Sequence, residues 1–154
     1  MKNTTTTTMT TDEQAEVLVA LDRIRAAWDA GDADAYAAEF TEDASYVIFA
    51  GLHDLGQAAI RRAHIPVFGT WQRGSRMSMR MLDLRFIAPG VAVVLTEGGI
   101  GKGARIRHDK VQTFVMVRDG ATWRCAAFQN TKKNRFFIAM NRRAIDRMPD
   151  ARHD

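Results

Sequence analysis

Hydrophobic residues near the start of the chain recur at spacings of three and four positions, which is typical of amphipathic helices. Residues 11–14, Thr-Asp-Glu-Gln, form a capping box whose side chains satisfy free backbone amides, so they predict the start of the first helix. Gly31 is suited to end that helix, and Asp32 is suited to cap a second, short helix over residues 33–40. The pattern therefore predicts a chain that begins with a helix-turn-helix arm.

The segments outside this arm include one strand and two more helices. Residues 44–49 are rich in aromatic and β-branched side chains and predict a strand, and residues 52–56 predict a loop or a short edge strand. A third helix is predicted over residues 57–68, where Pro66 either kinks the helix or ends it. Residues 135–148 predict a basic amphipathic helix. Its apolar side is expected to carry Phe136, Phe137, Met140 and Ile145.

Two further strands are predicted over residues 75–88 and 91–100, with a Pro-Gly turn between them. The first strand changes its pattern halfway, because its methionines share one side and the apolar residues that follow take the other. These residues are Met77, Met79 and Met81, and then Leu82, Leu84 and Phe86. A shift by one position indicates a β-bulge, which bends a sheet and makes one face concave. The glycine-rich residues 98–103 are expected to form a flexible connection.

Residues 111–131 contain two apolar, β-rich runs on either side of Asp119 and Gly120, and this combination predicts a hairpin. Side chains alternate along a strand, so a two-residue loop divides the hairpin into two faces that are both apolar. One face carries Gln112, Phe114, Met116, Trp123, Cys125, Ala127 and Gln129, and the other carries Val111, Thr113, Val115, Ala126 and Phe128. A longer loop would shift this register by one residue. Both faces need a cover.

The order of the elements predicts an α+β fold, in which N-terminal helices cover one face of a curved antiparallel sheet and enclose a cone-shaped space. Such a space is either filled by side chains or kept open as a ligand cavity. We expect one domain over residues 11–131, a disordered tail over residues 1–10, and a basic C-terminal helix and tail over residues 132–154.

Charge and composition indicate which partners and which cellular location to expect. The formal net charge is +4, and basic residues cluster after residue 131. We expect them to form a solvated helix face, with contact to an acidic ligand or nucleic acid as the alternative. The single cysteine, Cys125, excludes an intramolecular disulfide and is expected to be a buried thiol. The N-terminal residues lack the pattern of a signal peptide and no run reaches transmembrane length, so we expect a cytoplasmic protein.

Four side chains are candidates for acid–base chemistry. His64 lies on the sheet-facing side of the third helix, where an imidazole suits proton transfer near neutral pH, and His53 lies in the preceding loop. Tyr46 could donate a hydrogen bond to a carbonyl or enolate oxygen. Glu97 would be a base if it faced inward, because burial would raise its pKa. Each also has a structural alternative: a core histidine, an exposed histidine, a half-buried aromatic and an outward-facing carboxylate.

Candidate substrate-binding residues fall into two groups. Amide side chains in an apolar cavity need a partner, so Gln112, Gln129 and Asn130 are candidates for contact with a ligand or a water molecule. Apolar walls are expected from Trp28, Phe40, Phe49, Phe68, Trp71, Met77, Met79, Phe114 and Trp123. The alternative is that these aromatic and methionine side chains form only a core.

Several other chemistries lack a pattern in the sequence. No group of His, Cys and carboxylate residues has the spacing of metal ligands, and no serine lies in a nucleophile elbow. The glycines of residues 98–103 lie between two strands rather than before a helix, so they do not predict a dinucleotide or phosphate site. We therefore expect no metal and no cofactor. Basic and aromatic residues are not interleaved as in single-strand nucleic-acid binders.

The chain resembles a known family in several segments. These are residues 27–51 (AWDAGDADAYAAEFTEDASYVIFAG), the Gly-Gln-Ala-Ala-Ile helix start, the Gly-Ser-Arg-Met run, and the hairpin that ends in Phe-Gln-Asn-Thr. They resemble the SgcJ/EcaC family of the nuclear transport factor 2-like superfamily, which is related to SnoaL-like polyketide cyclases and ketosteroid isomerase. The resemblance covers about residues 12–131. It implies a cone-shaped α+β barrel that dimerises through the outer face of its sheet.

The resemblance also implies a setting, since family members occur in bacterial natural-product clusters, including those for enediyne polyketides. The family's customary label is oxidoreductase, which no cofactor motif in this chain supports. The helix after Arg135 extends past the point where many members stop, and it is expected to cover the cone or to pack on a partner.

Two classes of function remain open. The first is a cofactor-free enzyme of the cyclase, isomerase or dehydratase type that transfers protons on a hydrophobic, polyketide-type intermediate. His64 with His53 or Glu97 would move the proton, while Tyr46 and Gln129 would hold the oxygen. The second is a non-catalytic protein that binds such a molecule or assists a partner enzyme. The expected partners are this small molecule and a second copy of the chain, with no nucleic acid and no membrane.

Overall fold

The computed structural model of the chain describes residues 4–148, with side chains from residue 11 onward. This part of the chain forms four helices and six strands. They are α1 (Thr4–Ala30), α2 (Ala33–Ala38), β1 (Phe40–Val47), β2 (His53–Leu55), α3 (Gln57–Gly69), β3 (Arg76–Ala88), β4 (Val91–Gly101), β5 (Lys110–Asp119), β6 (Thr122–Lys132) and α4 (Arg135–Asp146). One curved sheet has the order β2-β1-β6-β5-β4-β3. The predicted α+β fold, with helices over the concave face of a sheet, is confirmed.

The first helix is longer than the capping box predicts. α1 begins at Thr4 rather than at Thr11, so the helix includes residues 4–10. No Gly or Pro interrupts this stretch, and a helix that has formed can extend through residues of modest propensity at little cost. Residues 1–3 of the predicted tail lie outside the described residues.

The next two helices form where they are predicted, with different ends. The Asp32 carboxylate caps α2, as predicted, by accepting hydrogen bonds of 3.0 Å from two backbone amides of its first turn. α2 then ends at Ala38, because the backbone from Phe40 onward pairs with β6. α3 is not ended by Pro66 and continues to Gly69. The segment after Gly56 therefore supplies a full-length helix to cover the sheet.

The sheet is not antiparallel throughout, because β1 and β6 are parallel. β1 leaves the helical arm at the end of the sheet where β6 begins, which places Phe40 beside Cys125. The other neighbouring strands are antiparallel, and β2 is the short edge strand that was one of the two predicted alternatives. Cys125 is fully buried, as predicted, and burial raises the pKa of its thiol to about 12.

The bend of the long third strand is confirmed. The pairing of β3 with β4 shifts between Met81 and Asp83, which is the predicted β-bulge. The glycine-rich residues 98–103 were expected to form a flexible connection, but residues 98–101 are part of β4. Gly98 pairs with Met79 and Gly101 pairs with Arg76, so these glycines are regular ladder positions of β4. Glycine is needed at Gly98 and Gly99 because atoms of neighbouring segments of the same chain leave no room for a side chain at either position.

The hairpin forms, but its register differs from the simple two-residue loop at Asp119 and Gly120. Asp119 pairs with Thr122, and a second shift beside Val115 leaves Ala126 as an extra residue in β6. Up to Cys125 the two faces are as predicted. Beyond the bulge they exchange, so that Phe128 points into the core with 4% of its surface exposed and Gln129 is exposed on the outer face.

The core lies between the concave face of the sheet and the three N-terminal helices. Aromatic rings fill most of the space, as Trp28, Tyr36, Phe40 and Phe68 pack edge-on or tilted against their neighbours at centroid distances of about 5 Å. α4 takes no part in this core. The structure describes the whole of this helix, and none of its side chains is buried.

Candidate functional site

A cavity of about 560 Å³ opens between the helices and the concave face of the sheet. Its size lies within the range of small-molecule sites. Of the residues predicted from sequence, eight line it: Trp28, Tyr46, Phe49, His64, Trp71, Met77, Gln112 and Asn130. The tertiary structure adds Tyr36, Ile48, Leu52, Asp54, Ala63, Pro66, Val67, Gln72, Ile100, Lys110 and Phe128. Most of these side chains are apolar, so the few polar groups decide how a ligand would be oriented.

Three polar side chains in the wall of the cavity form a hydrogen-bonded chain. The Tyr36 and Tyr46 hydroxyl oxygens are 3.1 Å apart, and the Tyr46 hydroxyl lies 3.3 Å from Nε2 of His64. The other ring nitrogen of His64, Nδ1, lies 2.7 Å from the carbonyl oxygen of Ile60. A carbonyl oxygen only accepts, so Nδ1 carries a hydrogen and the neutral ring accepts at Nε2. The protons therefore point from Tyr36 to Tyr46 and from Tyr46 to His64.

Tyr36, Tyr46 and His64 lie on three different elements, which the fold brings into contact. Tyr36 lies on α2, Tyr46 lies in the middle of β1, and His64 lies on the inner side of α3, one turn after Ile60. Ile60 and His64 are separated by four residues, so the Nδ1 hydrogen reaches the free lone pair of a carbonyl on the same helix. This contact fixes both the tautomer and the orientation of the ring.

Burial keeps the whole chain of groups uncharged. Desolvation lowers the pKa of His64, although its hydrogen bond to the Ile60 carbonyl and the charge of Asp54 act in the opposite direction. Desolvation likewise raises the pKa of the Tyr46 and Tyr36 hydroxyls well above the ordinary value for tyrosine. At neutral pH the site thus holds a neutral imidazole that can accept a proton and two phenols that can donate one.

Gln112 presents the clearest unpaired donor to the cavity. Its side chain is 5% exposed, and its carbonyl oxygen accepts a hydrogen bond of 2.9 Å from the Thr96 hydroxyl. Gln112 lines the cavity, and the contact with Thr96 is its one side-chain hydrogen bond among the described residues. Gly98 makes this placement possible, because a Cβ at that position would lie 2.5 Å from the Gln112 carbonyl oxygen. The amide hydrogens are therefore available to an oxygen of a ligand.

The mouth of the cavity combines aromatic and basic groups. The Asn130 carbonyl oxygen accepts a hydrogen bond of 2.7 Å from the Phe49 backbone amide. The ammonium groups of Lys110 and Lys132 lie 5.3 and 6.0 Å from the centre of the Phe49 ring, within the range of cation–π contact. Trp71 is more exposed than any other aromatic side chain of this rim. Asn130 thus positions the rim, as well as lining the cavity.

Sequence reasoning missed four polar residues that line the cavity: Tyr36, Asp54, Gln72 and Lys110. Asp54 pairs with Tyr46 across β1 and β2, so both side chains stand on the same face, and its carboxylate lines the cavity. Tyr36 lies within the predicted second helix, residues 33–40, and was not singled out there. The alternation of His53, Asp54 and Leu55 in an edge strand was the available signal for Asp54, while no local pattern marks the hydroxyl of Tyr36.

Two of the four proposed acid–base residues lie outside the cavity. His53 is exposed on β2, where its Nε2 lies 3.2 Å from the Ser45 hydroxyl. Glu97 does not face inward: it stands on the outer side of β4, where it forms ion pairs with Lys133 and Arg80. Hydrogen bonds from Lys133 and Arg80 lower the pKa of Glu97 to about 2, opposite to the rise that an inward position would cause.

Six of the proposed substrate-binding residues are also absent from the lining. Phe40 and Phe114 are core residues, and Phe68 packs on the Trp28 ring behind the cavity wall. Met79 is partly buried against the core. Trp123 lies at the other end of the sheet, where its Nε1 donates a hydrogen bond to Glu16. Gln129 is on the outer face because of the bulge in β6.

No group of three or more His, Cys, Asp or Glu side chains among the described residues could hold a metal ion. Within the same residues, no helix is long and apolar enough to cross a membrane. The polar side chains of the cavity include the hydrogen-bonded Tyr36, Tyr46 and His64, the Gln112 amide and the Asp54 carboxylate.

Comparisons with known proteins give the fold a name. No protein-family profile matches the chain. No curated protein matches it. Among solved structures, a Nostoc punctiforme domain of unknown function with a cystatin-like fold is 23% identical, with a TM-score of 0.72, over 92% of this chain and 89% of that one.

Two further structures extend the comparison. A candidate scytalone dehydratase from Novosphingobium aromaticivorans is 16% identical, with a TM-score of 0.71, over 82% of this chain and 88% of that one. An NTF-2-like protein of unknown function from Shewanella oneidensis is 14% identical, with a TM-score of 0.68, over 78% of this chain and 99% of that one. Identities this low bear on the fold alone. The chain has the cystatin-like fold of the nuclear transport factor 2-like proteins.

Proposed function

We propose that this protein is an enzyme that transfers protons on a hydrophobic molecule carrying a carbonyl or hydroxyl oxygen, using its own side chains. The observation that carries the proposal is the Tyr36–Tyr46–His64 hydrogen-bond chain in the wall of an apolar cavity. Buried polar groups in a cavity that is otherwise apolar are the usual means by which an enzyme orients a ligand and moves a proton. Isomerisation, cyclisation and dehydration all need such a step.

The direction of the hydrogen bonds supports a specific role for each group. Nε2 of His64 is the only atom of this hydrogen-bond chain with the basicity to take a proton at neutral pH, and it accepts from Tyr46, which also lines the cavity. When a substrate gives a proton to the Tyr46 oxygen, the phenolic proton passes to His64. Tyr36 donates a hydrogen bond to the Tyr46 oxygen throughout. This hydrogen bond stabilises negative charge on the Tyr46 oxygen better than an apolar neighbour would. The reverse transfer restores the neutral ring.

The remaining polar groups would hold and polarise the substrate. The free Gln112 amide can donate to a carbonyl or enolate oxygen in a site with little water, where such a hydrogen bond is strong. The Asp54 carboxylate stands beside Tyr46 and can accept a substrate hydroxyl proton or stabilise a charged imidazole. Gln112 replaces Gln129 as the oxygen-binding amide, and Asp54 replaces Glu97 as the carboxylate.

The size and lining of the cavity favour a polycyclic or polyketide-type substrate over a small polar metabolite. One structural neighbour bears the name of a dehydratase, which supports elimination of water as one form of the reaction. The sequence resemblance to the SgcJ/EcaC family supports bacterial secondary metabolism, including enediyne polyketides, as the proposed setting.

A second candidate function is binding without catalysis. It is favoured by the fact that the three groups of the chain satisfy one another and that His64 is only 5% exposed. In that case the polar chain fixes the packing of α2, β1 and α3, and Gln112 provides the contact to a bound ligand. A substitution that removes a proton carrier but keeps the shape of the cavity distinguishes the two functions.

The test uses 1-tetralone, a bicyclic ketone with exchangeable hydrogens next to its carbonyl, as a generic probe. Deuterium exchange at that carbon, followed by proton NMR in D₂O, reports proton abstraction without knowledge of the natural substrate. The wild type should exceed the buffer rate, and Tyr46→Phe and His64→Gln should each lower the protein-dependent rate by about 100-fold or more. Thr113→Val, which removes a hydroxyl from the outer face of the same sheet, is the matched control and should leave the rate unchanged.

Binding of the probe is measured in parallel by its effect on tryptophan fluorescence. A wild type that binds 1-tetralone without accelerating exchange would refute the catalytic proposal and support the binding function. Exchange that survives both Tyr46→Phe and His64→Gln would show that another group is the base, with Asp54 as the next residue to substitute.

We also propose that two copies of the chain associate through the outer face of the sheet. This face carries half-buried Val47, Val111, Val115 and Ala127, which line a shallow groove of about 440 Å³. Apolar side chains on an uncovered sheet face favour a partner, because their burial removes apolar surface from water. Phe128, which the sequence assigned to this face, lies on the inner side and takes no part.

A further inference from the structure

The last helix of the described chain is unlike the other three. α4 stands outside the core, and its large apolar side chains are open to solvent, with Phe136 79% and Phe137 54% exposed. None of its residues lines the cavity, so it does not cover the mouth, which was one of the two expected roles. Isolated exposed apolar residues are common, but a whole apolar helix face without cover indicates an interaction surface.

The two sides of α4 differ sharply in chemistry. At 3.6 residues per turn, Phe136, Phe137, Met140 and Ala144 share one side, which we term the α4 apolar face. The opposite side carries Arg135 and Arg142 together with Asp146, and Arg143 lies at its edge, next to Phe136; we term these arginines the α4 basic face. Phenylalanine on one side of a helix and arginine on the other, with low net hydrophobicity, is the pattern of a helix that lies in a lipid–water interface.

The distribution of charge points to an anionic partner. Residues 1–131 contain equal numbers of basic and acidic side chains, so the formal net charge of +4 lies entirely in residues 132–154. Lys132 and Lys133 precede the helix, and of these two Lys133 is ion-paired with Glu97. A second copy of this helix would be repelled by the same charge, and nucleic acid would leave the phenylalanines uncovered. An anionic lipid surface is complementary to both faces.

The helix is held at a defined point of the body. The Lys133 backbone amide donates a hydrogen bond of 2.8 Å to the Asp109 carbonyl, and the Lys133 ammonium pairs with Glu97. Asn134 caps the helix, with its side-chain oxygen accepting from the Phe137 amide at 3.0 Å. Lys132, beside this root, lies over the Phe49 ring at the mouth of the cavity. Docking of α4 would therefore bring the mouth near the surface on which the helix lies.

We propose that α4 docks the protein on anionic lipid bilayers, with the α4 apolar face inserted at the level of the headgroups and the α4 basic face above them. The sequence predicts no membrane partner, whereas the exposure of this face points to one. It is independent of the reaction in the cavity. Each basic residue near an anionic bilayer strengthens binding, and each buried phenylalanine adds to it.

The experiment is cosedimentation of the full chain with vesicles of phosphatidylcholine alone and with about 30% phosphatidylserine, at about 0.1 M and 0.5 M salt. The wild type should bind the anionic vesicles at low salt and lose most of this binding at high salt. Arg142→Gln combined with Arg143→Gln should lower the partition coefficient about 30-fold. Phe136→Ser combined with Phe137→Ser should lower it about 100-fold.

Matched controls carry the same changes elsewhere on the surface. Arg105→Gln with Arg107→Gln removes two exposed charges from the loop before β5, and Leu55→Ser with Ile87→Ser removes two exposed apolar side chains. Both double variants should bind the anionic vesicles like the wild type. Circular dichroism of all variants checks that the fold is retained. The α4 substitutions should not affect folding, because no α4 side chain is buried.

Four results would overturn the proposal. The first is equal binding to neutral and anionic vesicles, and the second is no binding to either. The third is retention of a duplex DNA probe by a wild type that ignores vesicles, which would assign the basic face to nucleic acid. Loss of a dimer in the Phe136→Ser, Phe137→Ser variant without any vesicle binding by the wild type would assign the apolar face to a second copy of the chain and equally overturn it.

Discussion

Replacement of Gly98 by alanine tests how the sheet shapes the cavity. A Cβ built at Gly98 would lie 2.6 Å from the Ser78 carbonyl oxygen and 2.5 Å from the side-chain oxygen of Gln112. The first atom is backbone of the neighbouring strand and cannot move without distorting the ladder. The second is held by the Thr96 hydroxyl. The change therefore acts on the fold and on the cavity amide at the same time.

The size of the effect can be worked out from these contacts. Forcing a methyl group against fixed backbone costs about 1–3 kcal/mol, and displacing Gln112 from Thr96 costs about 1 kcal/mol more. Alanine recovers about 0.4–1 kcal/mol by restricting the unfolded chain. The net loss in the free energy of unfolding should be about 1–3.5 kcal/mol. For a chain of 154 residues this corresponds to a fall in Tm of about 2–14 °C.

Gly101→Ala is the matched control, because it lies in the same strand and its added Cβ would meet Ile106 at 3.6 Å, an ordinary contact. It should be neutral or should raise the free energy of unfolding by up to about 1 kcal/mol. Urea denaturation followed by tryptophan fluorescence measures both variants. The reasoning fails if the two variants shift stability in the same direction by similar amounts, since the close approach of Ser78 would then have no energetic consequence.

Three further predictions concern pH and association. Burial lowers the pKa of His64, so the unfolded chain binds more protons than the folded chain as pH falls through about 6.5. The free energy of unfolding should therefore decrease in this pH range. Denaturation measured as a function of pH should show a smaller decrease for His64→Gln than for the wild type. The pKa of Glu97 is lowered from 4.5 to about 2, so its ion pairs should stabilise the fold above pH 4.5 and lose their effect on acidification toward pH 2. Glu97→Gln should remove that part of the acid transition, and an unchanged profile would contradict the ion pairs. Val115→Glu should convert a dimer into a 17.2 kDa monomer by light scattering; a wild type that is itself monomeric would refute the proposed interface.

The elements of this fold could be predicted because their causes are local. The Asp32 cap, the spacing of apolar residues on the helices and the Asp-Gly turn act within a few residues, and each produced the expected element. The bulge near Leu82 was also visible, because a phase change in a strand leaves a direct trace in the sequence. Ends of elements were less well predicted, since pairing with distant strands decides them, as at Phe40.

The candidate site was predicted in part for the same reason. Tyr46, His64 and Gln112 were identified because each is a polar residue on a strongly apolar face, which is a local anomaly. Glu97 and Gln129 were misplaced because their side depends on register across strands. One extra residue at Ala126 reverses every later side chain of β6, and nothing in the sequence of β6 alone marks it.

The sequence by itself therefore determined the helices, the strands and the polar residues at unusual positions, because periodicity and capping are short-range properties. Tertiary structure alone decided that Tyr36 completes the hydrogen-bond chain of Tyr46 and His64, and that Asp54 enters the cavity. It also decided that α4 stands free of the core. These facts depend on which elements lie side by side, and that follows from the packing of the whole chain rather than from any one segment of it.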